Sequence, residues 1–126
     1  MKWLIKRFLF PLCAFLAVNS SGLSQIDVNH VISIGRNALY FNDYVVSIGY
    51  FNQVIATRPW LAEPYLYRAI AKVSLDDYVG AEVDAGKSIE LNPYISRTYL
   101  VRGIALQNTN RFEEAIKAYE QGLTFA

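Results

Sequence analysis

The sequence predicts an all-α fold built from three stacked helical hairpins, and two observations lead to this prediction. First, the stretch YLYRAIA, which starts at Tyr65, returns as YLVRGIA at Tyr99 with five of seven letters unchanged, and the spacing between these two tyrosines defines a repeat period. Second, apolar residues recur at helical spacing between short polar or proline-containing breaks. Because a fixed period of roughly 20–50 residues is typical of stacked supersecondary units, the chain is expected to form a solenoid.

The repeat divides the chain into units 28–61, 62–95 and 96–126, of which the first is the weakest copy. Each unit is predicted to hold two antiparallel helices joined by a short turn. The second helix of the third unit has one apolar stripe, formed by Phe112, Ala115, Ile116, Tyr119 and Leu123. Asn110 is its predicted N-cap, and Pro59 and Pro93 are expected to stop the second helices of the first two units.

Small residues fall in the middle of every first helix, at Gly35, Ala69 and Gly103. Two helix axes approach to about 8 Å only where the side chains at the crossing are small. We therefore expect a close crossing within each hairpin. The aromatic residues that begin the second helices are expected to fill the space beside it: Tyr44, Tyr78 and Phe112.

Residues 1–24 have the layout of a secretory signal peptide. Lys2, Lys6 and Arg7 precede an apolar stretch at 8–18, and small or polar residues follow, with cleavage expected after Ser24. The remaining chain, 25–126, is then a single exported domain, periplasmic or extracellular. An uncleaved segment that tethers the chain to a membrane is the alternative, and it would be the only membrane contact.

Composition excludes several functional classes. The net charge of +1 gives no electrostatic footprint for nucleic acid. His30 is the single histidine and Cys13 the single cysteine, so no catalytic residue, no metal site and no cofactor is predicted. The paired acids Asp76-Asp77 and Glu113-Glu114 open helices, where negative charge suits the helix dipole.

This pattern of aromatic, small and proline positions resembles the tetratricopeptide repeat. In the second unit the pattern falls on Tyr65, Ala69, Tyr78, Ala81, Ser88 and Pro93. The resemblance covers 28–126, and the first unit departs most from it, with Val31, Ser47 and Val54 at pattern positions. It implies a right-handed α-solenoid, here with a last repeat that lacks a capping helix.

The resemblance also implies a function, namely a non-catalytic scaffold that binds a peptide or protein segment in a concave groove lined by the first helices. The groove residues it indicates are Arg36, Tyr40, Leu66, Tyr67, Ile70, Arg97, Val101, Ile104 and Asn108. Chaperone-adaptor members of the family grip a C-terminal carboxylate with five polar side chains. The matching positions here are Ile32, Arg36, Tyr67, Arg97 and Val101, and only Arg97 keeps the expected charge, so that clamp is not expected.

Two alternatives stay open. The chain could be a structural stacking unit that self-associates through its uncapped C-terminal repeat, or the N-terminal fragment of a larger envelope-associated repeat protein. Separately, Arg68 and Arg102 stand where the family usually has leucine. They are either ligand contacts or, as we favour, partners of Asp84 on a neighbouring helix.

Overall fold

The computed structural model describes residues 26–126, and within this range the chain forms six helices and no strand. They are α1 (Val28–Tyr40), α2 (Tyr44–Thr57), α3 (Ala62–Ser74), α4 (Tyr78–Leu91), α5 (Ser96–Asn108) and α6 (Phe112–Thr124). The predicted signal peptide lies outside the described residues. It stays a prediction, which N-terminal sequencing of the mature protein would test.

Consecutive helices pack against each other along the whole chain, so that α1–α2, α3–α4 and α5–α6 form three hairpins. The first helices of neighbouring hairpins also touch, α1 with α3 and α3 with α5. The predicted all-α solenoid of three helical hairpins is therefore confirmed. Its main core lies between α3, α4 and α5 and consists of Leu66, Ala69, Ala81, Ala85, Val101 and Ala105.

The close crossing within a hairpin is filled differently from the prediction. A Cβ added to Gly35 would lie 2.8 Å from the ring of Phe51, which is fully buried in the middle of α2. At Gly103 the ring of Tyr119 occupies the same place. Phe112, one of the predicted fillers, is 57% exposed. The prediction was therefore wrong for Phe112, whereas Tyr78 does pack against the core cluster that contains Ala69 and Ala81.

The middle hairpin solves the same packing problem with two alanines. Ala69 and Ala85 stand one repeat period after Gly35 and Phe51, and both are fully buried in one cluster. A glycine facing an aromatic ring in the outer hairpins is thus replaced by alanine facing alanine. Since protein interiors are close-packed, the combined volume of the two facing side chains must match the space at the crossing.

The turn inside each hairpin contains one residue in the left-handed backbone region, with φ of 64° at Asn42, 60° at Asp76 and 62° at Asn110. Asn and Asp tolerate this region better than other non-glycine residues. The prediction that Asn110 caps α6 was therefore wrong, since the residue that precedes this helix is Arg111. In the middle hairpin Asp77 does cap α4, because its carboxylate accepts from the Gly80 N–H at 3.0 Å.

Replacing Asn110 by alanine is expected to lower the free energy of unfolding by about 1 kcal/mol, because a Cβ-bearing residue without a polar side chain is strained at positive φ. Asn110→Gly is the control and should leave stability unchanged or raise it. Urea unfolding followed by far-UV circular dichroism measures both changes. An equal loss for both variants would show that the asparagine side chain, and not its backbone, is what stabilises the turn.

A buried carboxylate holds the two helices of the second hairpin together, and its arginine partner reaches the first hairpin. Asp84, whose side chain is 3% exposed, accepts from Arg68 Nε at 2.8 Å and from Arg68 Nη2 at 2.7 Å, and Lys72 Nζ lies 2.9 Å away. Through this hydrogen bond Asp84 raises the pKa of Arg68. Arg68 Nη1 also donates to Asn52 Oδ1 at 2.9 Å. The predicted pairing of Arg68 with Asp84 is confirmed.

The predicted pairing of Arg102 with Asp84 was wrong. Arg102 Nε is buried and has no hydrogen-bond partner among residues 26–126. Ala118 stands one repeat period after Asp84, and Gly86 stands one period after Asn52, so neither acceptor has an equivalent near Arg102. Arg68 and Arg102 are equivalent in sequence but differ in what surrounds them.

Candidate functional site

The candidate site is a cavity of about 600 Å³ where α1, α3 and the start of α5 meet. It is lined by Ser33, Arg36, Asn37, Leu39, Tyr40, Tyr44, Tyr67, Ile70, Ser74 and Arg97. Most of these residues lie on the first helices because the solenoid brings α1 and α3 side by side. Tyr44 joins them from the first turn of α2.

One wall of the cavity is held by a stack of three side chains. Phe51 is fully buried, and the ring of Tyr67 packs on it with 5.4 Å between ring centroids and 27° between ring planes. The guanidinium carbon of Arg36 lies 5.4 Å from the centroid of Tyr67. A cation over an aromatic ring is attracted by its negative face. The buried phenylalanine therefore orients the tyrosine, and the tyrosine helps to position the arginine.

The cavity is positively charged. Arg36 and Arg97 are both exposed, and neither forms an ion pair within the described chain. No aspartate or glutamate is among the lining residues. Two cations without a local counter-charge attract an anionic group, and guanidinium groups bind carboxylates well because their donors match carboxylate geometry.

The rest of the wall offers apolar and aromatic surface. Tyr40 is 81% exposed, and its ring meets Phe41 edge-on at 5.2 Å. Ile70 and Leu39 are half-buried. Apolar walls with a few well-placed polar groups are typical of binding pockets. The arrangement can therefore hold an anionic group and an apolar side chain at the same time.

Of the nine residues indicated from the sequence, five line this cavity: Arg36, Tyr40, Tyr67, Ile70 and Arg97. Ile104 and Asn108 do not line it. They lie farther along α5, where the Asn108 side-chain amide donates to the Ile104 carbonyl at 2.8 Å. Asn108 is exposed and Ile104 half-buried.

Leu66 and Val101 are not available to a ligand, so their prediction as groove contacts is wrong. They are only 4% and 5% exposed and belong to the core between α3, α4 and α5. Both lie on first helices, where sequence position alone does not distinguish the side facing the groove from the side facing the next hairpin. Packing of α5 against α3 and α4 buries them.

Five lining residues are not among these nine: Ser33, Asn37, Leu39, Tyr44 and Ser74. Asn37 directly follows Arg36 along α1, and Tyr44 is the first residue of α2. In the sequence, Tyr44 is recognisable only as a residue beside the hairpin turn. Whether its side chain reaches the cavity depends on the angle between α1 and α2, which the sequence does not give.

Two further findings concern residues 26–126. No helix there combines the length and hydropathy that crossing a membrane requires. In the same range, no cluster of three or more His, Cys, Asp or Glu side chains is arranged to hold a metal ion.

Comparison with known proteins gives relatives but no family model that matches the chain. The Protein SGT1 homolog of Oryza sativa subsp. japonica is 34% identical over 94 residues, which are 75% of this chain and 26% of that protein. The Protein STIP1 homolog of Dictyostelium discoideum is 38% identical over 89 residues, 71% of this chain and 16% of that protein. The chain thus spans about a quarter or less of these relatives.

Solved structures agree with the fold. The first TPR of Spaghetti (RPAP3), bound to the HSP90 peptide SRMEEVD, has a TM-score of 0.75, 24% identity and 78% coverage of both chains. The second TPR of Spaghetti, with the same peptide, has a TM-score of 0.78, 22% identity and coverage of 86% and 99%. Residues 26–126 have the fold of a tetratricopeptide-repeat domain.

Proposed function

We propose that this domain is a non-catalytic protein-interaction module that binds an extended segment of a partner protein in the cavity between α1, α3 and α5. One observation supports this most directly: the cavity has two cations, Arg36 and Arg97, no lining carboxylate, and an aromatic and aliphatic wall. Its volume of about 600 Å³ suits a few residues of a peptide. Both similar Spaghetti structures contain a bound peptide, which supports the same class of ligand here.

The chemistry of the cavity suggests what the segment contains. An aspartate or glutamate would lie between Arg36 and Arg97, where charge-assisted hydrogen bonds are available. A neighbouring aliphatic or aromatic side chain would pack on Ile70 and Tyr40. The segment therefore has an acidic residue next to an apolar one.

This recognition differs from the grip on a C-terminal carboxylate used by chaperone adaptors. Ile32 and Val101 stand at two of the five clamp positions, and neither side chain can donate a hydrogen bond. Val101 is also 5% exposed. We propose that the groove recognises an internal acidic segment, for which a free chain end is not needed.

Selection of short random peptides on the immobilised chain, followed by calorimetry on the selected peptides, tests the proposal. The selected sequences should place Asp or Glu next to Leu, Ile, Phe or Tyr. Arg36→Ala and Arg97→Ala should each weaken binding by about tenfold to a hundredfold, since a hydrogen bond to a charged group contributes about 1.5–3 kcal/mol. Arg58→Ala is the matched control, because Arg58 packs on Trp60 outside the cavity.

Three outcomes would contradict this function. The selected peptides could lack acidic residues, or they could bind both cavity variants as tightly as the original chain. In a parallel measurement, SRMEEVD should bind more weakly than the selected peptides and should be insensitive to amidation of its C-terminus. Tight binding that amidation abolishes would instead assign a terminal-carboxylate grip to the groove.

A further inference from the structure

A second apolar surface lies at the hairpin turns of the first two repeats, on residues that do not line the groove cavity. We call it the turn-edge patch, and it consists of Phe41, Val45, Val46, Leu75 and Val79. These side chains are between 45% and 72% exposed. Val45, Val46 and Leu75 share a cavity of about 260 Å³, which joins the first hairpin to the second. Exposed apolar side chains that share a cavity in this way are typical of interaction sites.

The fold itself does not require these apolar residues. The equivalent positions in the third hairpin are polar: Thr109 stands one repeat period after Leu75, Glu113 one period after Val79, and Glu114 two periods after Val46. The α5–α6 hairpin still forms with the same turn geometry at Asn110. A hairpin of this repeat can therefore form without the apolar side chains of the turn-edge patch.

One carboxylate lies at the turn-edge patch and two more follow it in the sequence. Asp43 lines its cavity and makes no capping hydrogen bond to α2, while Asp76 and Asp77 directly follow Leu75. None of the three forms an ion pair within residues 26–126, and no Lys or Arg lines the cavity. In the third hairpin, Asn110 and Arg111 replace this acidic pair. The apolar surface and the negative charge thus occur together in the first two repeats.

We infer that the turn-edge patch is a second docking surface, which takes an amphipathic helix of a partner protein whose apolar face is flanked by lysine or arginine. Charge complementarity selects the basic flanks, because Asp43 lines the cavity beside Val45 and Val46, and Asp76 and Asp77 directly follow Leu75. A helix fits better than a strand, since the described chain is all-α and offers no sheet edge for main-chain pairing. Tyr44 lines both this cavity and the groove cavity. The residues of the turn-edge patch itself do not line the groove, whose charged residues are cationic.

Binding of a synthetic amphipathic helix of leucine and lysine to the full chain tests the inference, with fluorescence anisotropy as the readout. A leucine and glutamate helix of the same pattern is the charge control and should not bind. Val46→Ser combined with Leu75→Thr, which copies Thr109, should weaken the leucine–lysine helix at least tenfold. Ile116→Ser removes an equally exposed aliphatic side chain on α6 and should leave binding unchanged.

Two more measurements separate this surface from the groove. Asp43→Asn and added salt should each weaken the complex several-fold, because surface charge attraction is screened. Arg36→Ala should have no effect, so that failure of the groove proposal and failure of this one are distinguishable. Equal affinity for both helices, or an undiminished affinity of the double variant, overturns the inference. A dimer of the free chain that the double variant dissociates would assign the patch to a second copy and overturn it as well.

Discussion

Replacing Arg68 by leucine is expected to lower the free energy of unfolding by about 3 kcal/mol, because it leaves the buried Asp84 carboxylate without its two-point partner. Asp84 is 3% exposed at its side chain, and water cannot take the place of the guanidinium. Lys72 stays 2.9 Å away and limits the loss. Leucine is the residue that the repeat usually has here, so the change introduces no conflict with the fold.

The same substitution at Arg102 should leave stability unchanged or raise it. Arg102 Nε is buried without a partner in the described chain, and an unsatisfied buried donor costs about 1–3 kcal/mol. Leucine removes that donor and keeps an aliphatic side chain against the hairpin. Two equivalent positions thus receive the same change with opposite expected results.

Urea unfolding of both variants, followed by far-UV circular dichroism, measures this contrast. The double variant Arg68→Leu/Asp84→Asn should regain part of the stability lost in Arg68→Leu, since it removes a buried carboxylate that has only Lys72 left as a partner. A small effect at Arg68, or equal losses at both arginines, would show that the ion pair contributes little and that the aliphatic stems stabilise the hairpins.

Gly35→Ala is the second change with a large expected effect, a loss of about 2 kcal/mol in the free energy of unfolding. The added Cβ would lie 2.8 and 2.9 Å from two ring carbons of Phe51. This ring is fully buried and stacked on Tyr67, so it cannot move aside freely. Tyr67 stacks on that ring and Arg36 lies over Tyr67, so a shift of the ring would displace both. The variant should therefore also weaken peptide binding in the groove.

Gly49→Ala on α2 is the matched control, since nothing lies within 4 Å of the position that its Cβ would take. It should raise stability by about 0.5–1 kcal/mol, the usual gain of alanine over glycine inside a helix. Combining Gly35→Ala with Phe51→Leu should cost less than the sum of the two single changes, because the smaller side chain makes room. Additive losses in that cycle would mean that Gly35 matters for some reason other than the ring.

The sequence was sufficient for features that depend on neighbours along the chain. The repeat period, the apolar stripes and the polar breaks predicted three helical hairpins, and these are present. The pairing of Arg68 with Asp84 was also accessible, because the repeat alignment places α3 and α4 side by side. Of the nine groove residues that the family resemblance implied, five line the cavity.

The residues wrongly predicted to contact a ligand in the groove are those whose burial depends on contacts between hairpins. Leu66 is 4% exposed, whereas Leu100, its equivalent in the next repeat, is 50% exposed. The repeat pattern treats both as one position. The difference arises because Leu66 is enclosed in the cluster with Val101 and Ala105 of the neighbouring hairpin.

The helices, their order and the turns between them therefore followed from the amino-acid sequence, since periodicity and turn chemistry are local properties. The packing of the hairpins determined which side chains line the groove and which aromatic ring packs against each glycine at a helix crossing. It also determined which arginine pairs with a carboxylate. Gly35 with Phe51 and Ala69 with Ala85 show the physical reason: packing depends on the combined volume of two facing side chains, and a pattern of single positions does not contain that sum.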